Sequence, residues 1–338
     1  MNRAMVLVER ERFGWADLPD PEPAAGEVVV RALFTGLCGT DLHIVEGSHP
    51  RARFPLAIGH EIAARPETGP LAGRLVLVDP LLPCGECTAC LAGASNACAR
   101  LRLIGIDRDG ALAGRFAVAE SRLHVVADGI PPEAVPLAEP LAVAVHAVGR
   151  VSDLAGQRKP GVGARLVVAI GAGPVGLLIG HVARRAGARV LIGEQAPARR
   201  TVAATLGFEL LDPDSPAENL ESITSGALAD VVFDAAAAPP VAASLHRFVH
   251  STGVVAIVGA YGGLVPLDLQ AVMFKELTIR GHRTYLPADI DAGLELLRAD
   301  LPALKPLLSG VVPAADVAEA IGAMRRGEGM KFVVECPA

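Results

Sequence analysis

The stretch Gly36-Leu37-Cys38-Gly39-Thr40-Asp41-Leu42-His43, taken with Gly59-His60-Glu61, offers a thiolate, an imidazole and a carboxylate. These are the ligand types that zinc prefers. Cys38 and His60-Glu61 stand too far apart in sequence to share a helical turn, so only a fold can bring them together. Ligands gathered from separate strands and loops suit a catalytic metal with an open coordination position. A small buried cysteine and a hydrogen-bonded histidine would use the same letters, and these residues alone leave both readings open.

Two further constellations carry chemistry. Gly171-Ala172-Gly173-Pro174-Val175-Gly176 follows the apolar run Leu166-Val167-Val168-Ala169-Ile170 and opens a helical pattern, where a dinucleotide fingerprint must lie. The first glycine makes the tight turn, the second lets a pyrophosphate reach the backbone, and the third lets helix pack on strand. The helix start presents free N–H groups and partial positive charge to phosphate. Glu194, eighteen residues after the last glycine, is placed to bind ribose hydroxyls. It would repel a 2′-phosphate, so NAD is expected in preference to NADP, with Arg199 and Arg200 near enough to bear on the choice. The bland alternative is a packing turn; the strand before it and the acid after it favour the nucleotide.

Cys84, Cys87, Cys90 and Cys98 are separated by two, two and seven residues. Four thiolates on one short lobe make a closed tetrahedral site, which reads as structural zinc. An iron–sulfur cluster, a redox pair and a nucleic-acid-binding knuckle are the alternatives. The charge balance opposes the last: 31 basic and 37 acidic side chains give a net charge of -6, and no basic cluster adjoins an aromatic platform.

A chain of 338 residues, half of it apolar, is long enough for two cores. Six cysteines, four in one cluster, point to metal in a reducing compartment, and a cytoplasmic location is expected. The N-terminus reads as a short strand broken by charge rather than a signal peptide. Leu166 to Ala183 is uncharged over eighteen residues, but its five glycine and proline positions argue for strand, turn and helix over a membrane span.

Elements that could position these groups follow from pattern. Glu27 to Ala32, Leu75 to Val78, Phe116 to Ala119 and Leu123 to Val126 read as strands of a mostly β first half. Cys38 to His43 starts a helix or loop, with Thr40 and Asp41 suited to cap it. Pro136 to Val148 reads as a long apolar helix carrying one acid, Glu139. From about residue 150 strands alternate with helices: strands at 166–170, 189–193, 230–234 and 254–258, helices at 175–185, 197–206 and near 241–250. That alternation means a parallel, doubly wound sheet. The tail holds helical pieces at 289–299 and 314–326 and a last strand, Lys331 to Glu335.

Taken together, GLCGTDLH, GHE, the CGECTAC…C lobe, AEPLAVAVHA and VVAIGAGPVGLL resemble the zinc-containing medium-chain dehydrogenase/reductases, particularly the sorbitol, butanediol and threonine dehydrogenase branch. The resemblance implies an α/β protein: a GroES-like, mostly β catalytic domain over 1–148 and 283–338, and a Rossmann doubly wound cofactor domain over 149–282. It implies that Cys38 and His60 bind a catalytic zinc and that Glu61 or Glu139 completes the shell, directly or through water. Asp41 would orient His60 by a hydrogen bond. It further implies two zinc ions per chain, NAD at Gly171, Gly173, Pro174, Val175, Gly176, Glu194 and Arg199, and assembly as a homodimer or homotetramer, without nucleic acid or membrane.

The implied reaction interconverts a small secondary alcohol (a polyol, a cyclitol or aminocyclitol, or a simpler one) and its ketone. Zinc would act as a Lewis acid on the alcohol oxygen, the proton leaving by the Thr40 hydroxyl and then His43. Arg283 and Tyr285 are candidate pocket residues or ordinary surface groups. Two departures stand out: the 62–78 stretch is short for the family, which predicts a trimmed hairpin, and Leu112-Ala113-Gly114-Arg115 replaces the frequent Phe-Ala-Glu-Tyr. A zinc-independent quinone or enoyl reductase would lack Cys38 with His60-Glu61 and the cysteine lobe. A non-catalytic nucleotide sensor on the same fold would have lost a ligand.

Overall fold

The computed structural model describes residues 2–152 and 165–337. Their contacts separate two units, Met1–Ala142 with Leu286–Ala338, and Val143–Tyr285. The family resemblance implies joins at 148/149 and 282/283. The first observed join instead falls inside the helix Ala138–Ser152, which pattern reads as one element.

The first unit is organised on the strand Glu27–Gly36, whose Val28, Val29 and Val30 are β-branched and buried. It pairs antiparallel with Glu61–Pro66, with Arg115–Ala119 over its first half, and with Lys331–Glu335 over its last residues. Ile62, Ala64, Val76, Val78, Phe116 and Val118 pack with it into one core. Two registers decide where the reactive side chains fall: Gly36 lies opposite Glu61, and Val333 opposite Gly36. Cys38 leaves its strand just after Gly36, His60 enters just before Glu61, and Lys331 precedes Val333. All three therefore emerge at the same end of the sheet.

A short hairpin, Glu61–Pro66 with Val76–Val78, occupies the stretch expected to be trimmed. Arg115, in the departing Leu112–Arg115 segment, is tied to Glu67 at 2.7 Å and Asp20 at 2.8 Å, while Ala111, Leu112 and Ala113 are buried.

The second unit holds a six-stranded parallel sheet in the order Glu209–Leu210, Arg189–Gly193, Leu166–Ile170, Ala229–Asp234, Val249–Ile257, Thr278–Gly281. All five residues of Leu166–Ile170 are buried, as a strand covered on both faces requires. The chain order reverses beside that strand, which makes the carboxyl ends there the ligand-binding edge of such a sheet. The uncharged run resolves into this strand, a glycine turn and the helix Pro174–Arg185, with Pro174 at its first turn and two arginines at its last. Another stretch, Pro132–Val151, is long and apolar enough to cross a membrane by length and composition; 78% of it is buried inside the protein.

One expected helix, near 241–250, is shorter. It spans Pro239–Ser244, and Val249–Ile257 is a nine-residue strand. A register irregularity between Ala229 and Val231 absorbs the polar His250-Ser251-Thr252, with Thr252 at a positive φ of 67°.

The third fingerprint glycine has no room for a side chain, since a Cβ on Gly176 would lie 1.9 Å from the Gly171 carbonyl oxygen. Gly176→Ala is expected to destabilise the protein by about 1–3 kcal/mol through overpacking. Thermal unfolding checks this, and an unchanged midpoint would contradict it.

Candidate functional site

Cys38 occupies the N-cap position of the helix Gly39–Val45, where Thr40 or Asp41 was expected. Asp41, fully buried in the first turn, reaches back: its Oδ2 accepts the Cys38 N–H at 2.9 Å. Its other oxygen faces His60, with Oδ1 3.5 Å from Nδ1, an ion-pair distance too long for a formed hydrogen bond. One carboxylate thus braces both Cys38 and His60. Gly59 turns the chain into His60 at φ 104°, a conformation that favours glycine.

Cys38, His60 and Glu61 bring three ligand atoms within 4.8 Å of one another. Space for the Glu61 carboxylate exists because its cross-strand neighbour lacks a side chain: a Cβ on Gly36 would stand 1.9 Å from Oε2. That Oε2 is buried with no hydrogen-bond partner, while Oε1 meets the Lys331 Nζ at 2.5 Å. Lys331 is itself buried and also donates to the Leu37 carbonyl at 3.0 Å. An ammonium only donates, so Glu61 Oε1 is the acceptor of this short contact.

Burial pushes the Glu61 pKa up, against the pull of Lys331 and His60. For Lys331 burial favours the neutral amine, but Glu61 and Cys38 outweigh it and its pKa rises. His60 follows the same pattern: burial lowers its pKa, and Asp41 with Cys38 lifts it well above the ordinary value. A thiolate, an imidazole and an unpartnered buried carboxylate oxygen at this spacing fit a zinc ion.

Glu139, in the first turn of its helix and 8% exposed, stands outside this ligand group among the described residues, although its charge reaches Lys331. The Thr40 hydroxyl lies 3.8 Å from Cys38 Sγ. His43 is open to solvent, with Nδ1 3.4 Å from the Ser48 hydroxyl. Tyr285 is fully buried and Arg283 exposed.

In the lobe the Sγ–Sγ separations are 3.5 Å for Cys84–Cys98, 3.5 Å for Cys87–Cys90, 3.8 Å for Cys87–Cys98 and 4.0 Å for Cys84–Cys90. These are far too long for disulfides. They match the edge of about 3.8 Å of a tetrahedron of sulfurs about 2.3 Å from a central zinc. Backbone N–H groups of Cys84 and Arg100 donate to Cys98 Sγ at 3.3 Å each. The Glu86 N–H, helped by Arg100, pulls the Cys84 thiol down to about 6.

The second unit carries a crevice of about 430 Å³ at the carboxyl end of Leu166–Ile170, lined by Gly171, Gly173, Glu194, Arg199 and Ala236 among others. Gly171 turns at φ 102°, whereas a Cβ on Gly173 would meet nothing within 4 Å. The open space above the second glycine is what a pyrophosphate needs. Glu194 is fixed there by the N–H groups of Ala172 and Gln195, each at 2.8 Å, and of Ala196 at 2.9 Å.

Residues 24–132 match the alcohol dehydrogenase GroES-like domain and residues 174–299 the zinc-binding dehydrogenase domain. The 2-dehydro-3-deoxy-L-galactonate 5-dehydrogenase of Pseudoalteromonas atlantica is 36% identical over 94% of this chain and 93% of its own. The L-galactonate-5-dehydrogenase of Escherichia coli K12 is 31% identical over 93% of each. Among solved structures, the alcohol dehydrogenase TADH of Thermus sp. ATN1 superposes with a TM-score of 0.88 at 26% identity, over 99% of this chain and 100% of its own. The chain belongs to the zinc-type medium-chain alcohol dehydrogenase family.

It is accordingly an NAD(P)-linked, zinc-type dehydrogenase with a GroES-like and a Rossmann domain. For this dehydrogenase, pattern reading passed over Lys331. The available signal was a lysine opening the strand Lys331–Glu335, ahead of three apolar residues, in a chain with lysine at only four positions. Gly36 was quoted in the motif without a role, which only the strand register reveals.

Gly36→Ala must displace the Glu61 carboxylate. Metal analysis of the dialysed variant is expected to show zinc lost from this cluster and kept in the lobe, with affinity down by about 10–100-fold as for other disturbed metal shells. Unchanged zinc content would contradict the role given to Glu61.

Proposed function

We propose that this dehydrogenase interconverts a secondary alcohol of a sugar-derived polyhydroxy compound and its ketone, with NAD as hydride carrier. The observation that carries the reading is the meeting of half-buried Cys38 with buried His60 and the unpartnered Glu61 oxygen. Cys38, His60 and Glu61 are the proposed ligands of a catalytic zinc, with Glu139 a further carboxylate able to approach through Lys331. Cys84, Cys87, Cys90 and Cys98 are the proposed ligands of a structural zinc. When bound, the catalytic ion supplies Lewis acidity toward an alcohol oxygen.

The chain's own groups do the rest. Asp41 holds Cys38 and faces His60, and Lys331 holds Glu61 in one orientation. The Thr40 hydroxyl, beside Cys38, would accept the alcohol proton as it gives up its own, and the exposed imidazole of His43 would take up the proton released and hand it to solvent. Gly171, Gly173, Pro174, Val175 and Gly176 form the pyrophosphate turn, with free N–H groups at the helix start.

The choice of NAD over NADP rests on three contacts. Glu194 offers a carboxylate where the ribose hydroxyls lie. Arg200 is spent on the carbonyls of Glu194 and Leu211, at 2.9 Å and 2.8 Å. Arg199 stands 4.0 Å from Glu194, which balances its charge.

Two of the curated relatives act, by name, on galactonates, which supports a sugar-derived substrate over a simple alcohol. The location proposed is the cytoplasm, where thiolates stay reduced for metal. Assembly is proposed as a homodimer, or a tetramer built from it, through a second copy at the edge strand Thr278–Gly281. Among the described residues that strand has an open edge, and Ile279, Met273, Phe274 and Leu264 beside it in sequence are exposed.

The test follows NADH formation over hexitols, hexonates, cyclitols and simple secondary alcohols, before and after zinc removal by chelator. Turnover of a sugar-derived alcohol is expected, with loss of at least about 100-fold on chelation and recovery on zinc addition. Full activity in the zinc-free protein, or turnover confined to simple alcohols, would overturn the reading.

A further inference from the structure

We infer that Tyr261 is a positioning residue for the dinucleotide: through the buried Asp234 carboxylate it holds in place the turn that walls the cofactor crevice. The inference rests on the dehydrogenase reading above and deepens it.

Glu194 follows the strand on one side of Leu166–Ile170, and Asp234 ends the strand on the other. The crevice at these carboxyl ends is walled on the Asp234 side by Ala235, Ala236 and Ala238. Asp234 is fully buried and holds this turn: its Oδ1 accepts the N–H groups of Ala236 at 3.0 Å and Ala237 at 3.1 Å. The turn needs holding because Ala237 sits at φ 50°, a left-handed conformation that a side chain disfavours. Strain of that kind persists only where the surroundings enforce it. The other oxygen of Asp234, Oδ2, accepts the Tyr261 hydroxyl.

Tyr261 belongs to the loop 258–267, which leaves the next strand, Val249–Ile257. The loop is pinned at its start, where the N–H groups of Val258 and Gly259 donate to the Asp234 carbonyl at 3.0 Å and 2.9 Å. Gly259 also presses on the strained turn: a Cβ there would lie 2.8 Å from the Ala237 Cβ. Beyond Gly259, the Tyr261 phenol makes the loop's one hydrogen bond among the described residues. Without the phenol a buried carboxylate oxygen loses its donor, and Asp234 gains by turning toward another and away from Ala236 and Ala237. The cofactor would then meet a wall that it must order as it binds, and its affinity would fall by the cost of that ordering. A bond that served folding alone would change stability and leave affinity as it was.

The test titrates NADH, followed by its fluorescence, into the zinc-loaded full chain as wild type, Tyr261→Phe, Asp234→Asn and the double variant, with thermal unfolding of each. Tyr261→Phe removes one oxygen from a half-buried ring, so the fold is expected to survive it. NADH affinity should fall by about 3–10-fold, the worth of one hydrogen bond. With the best alcohol of the preceding panel, KM for NAD should rise to match, while kcat, KM for the alcohol and zinc content stay close to the wild type. In the Asp234→Asn background the same change should weaken NADH binding by no more than about twofold, because the two residues act as one unit. Should Asp234→Asn fail to fold, Gly259→Ala, which pushes on Ala237 and leaves the phenol in place, replaces it and should weaken NADH binding too. Unchanged NADH affinity in Tyr261→Phe or in Gly259→Ala, or a loss of full size in the Asp234→Asn background, would overturn the inference and leave the dehydrogenase reading standing. Failure of the zinc-loaded wild type to bind NADH would overturn both.

Discussion

A lysine and a glutamate pressed together inside the first unit constrain everything around them. Lys331 and Glu61 are both buried, and neither charge is tolerable there alone. Asp41 and His60 add two more buried ionisable groups, and the half-buried Cys38 joins them once it ligates as thiolate. With His60 neutral, as a metal ligand must be, three anions against one ammonium would leave two negative charges without water to screen them. A divalent cation in contact with Cys38, His60 and the second oxygen of Glu61 closes that balance. Without one, the carboxylate oxygen is left with no partner in the interior, a position that costs free energy.

The sheet makes this arrangement possible by register rather than by any local motif. Gly36 supplies the empty place that Glu61 Oε2 fills, and the strand Lys331–Glu335 lines up so that its first residue reaches Glu61. That strand comes from the last residues of the chain, after the polypeptide has passed through the cofactor-binding unit. The proposed metal-binding cluster in the first unit is therefore complete only when the returning segment has added its strand. The dinucleotide crevice obeys a simpler rule. It lies where the strand order of a parallel sheet reverses, and the three glycines there differ in what a side chain would meet: backbone at Gly171 and Gly176, nothing at Gly173.

Much of this was legible in the residues. Leu166–Ile170, Arg189–Gly193 and Lys331–Glu335 read as strands with the limits they have, because buried strands are short apolar runs cut off by glycine or charge. The helix expected near 241–250 was misjudged because His250-Ser251-Thr252 interrupts the apolar pattern of a strand that continues through them with an irregular register. The cap of the helix Gly39–Val45 was misplaced because Asp41 acts from inside the first turn on the N–H of the residue before the helix. Cys38, His60 and Glu61 could be named from their types and spacing, but not their convergence, which depends on pairing between distant strands. Lys331 was passed over as a functional group because its only signal, a rare lysine opening a mostly apolar strand, does not reveal that the strand register buries it against Glu61.

The central claim is that the first unit holds a divalent ion between Cys38, His60 and Glu61. Anomalous diffraction from zinc-loaded crystals, recorded on both sides of the zinc absorption edge, tests it directly. The account predicts two peaks per chain: one inside the four-cysteine lobe and one in contact with Cys38 Sγ, His60 and the Glu61 oxygen that faces away from Lys331. A single peak in the lobe, with Glu61 bound only to Lys331, would contradict it.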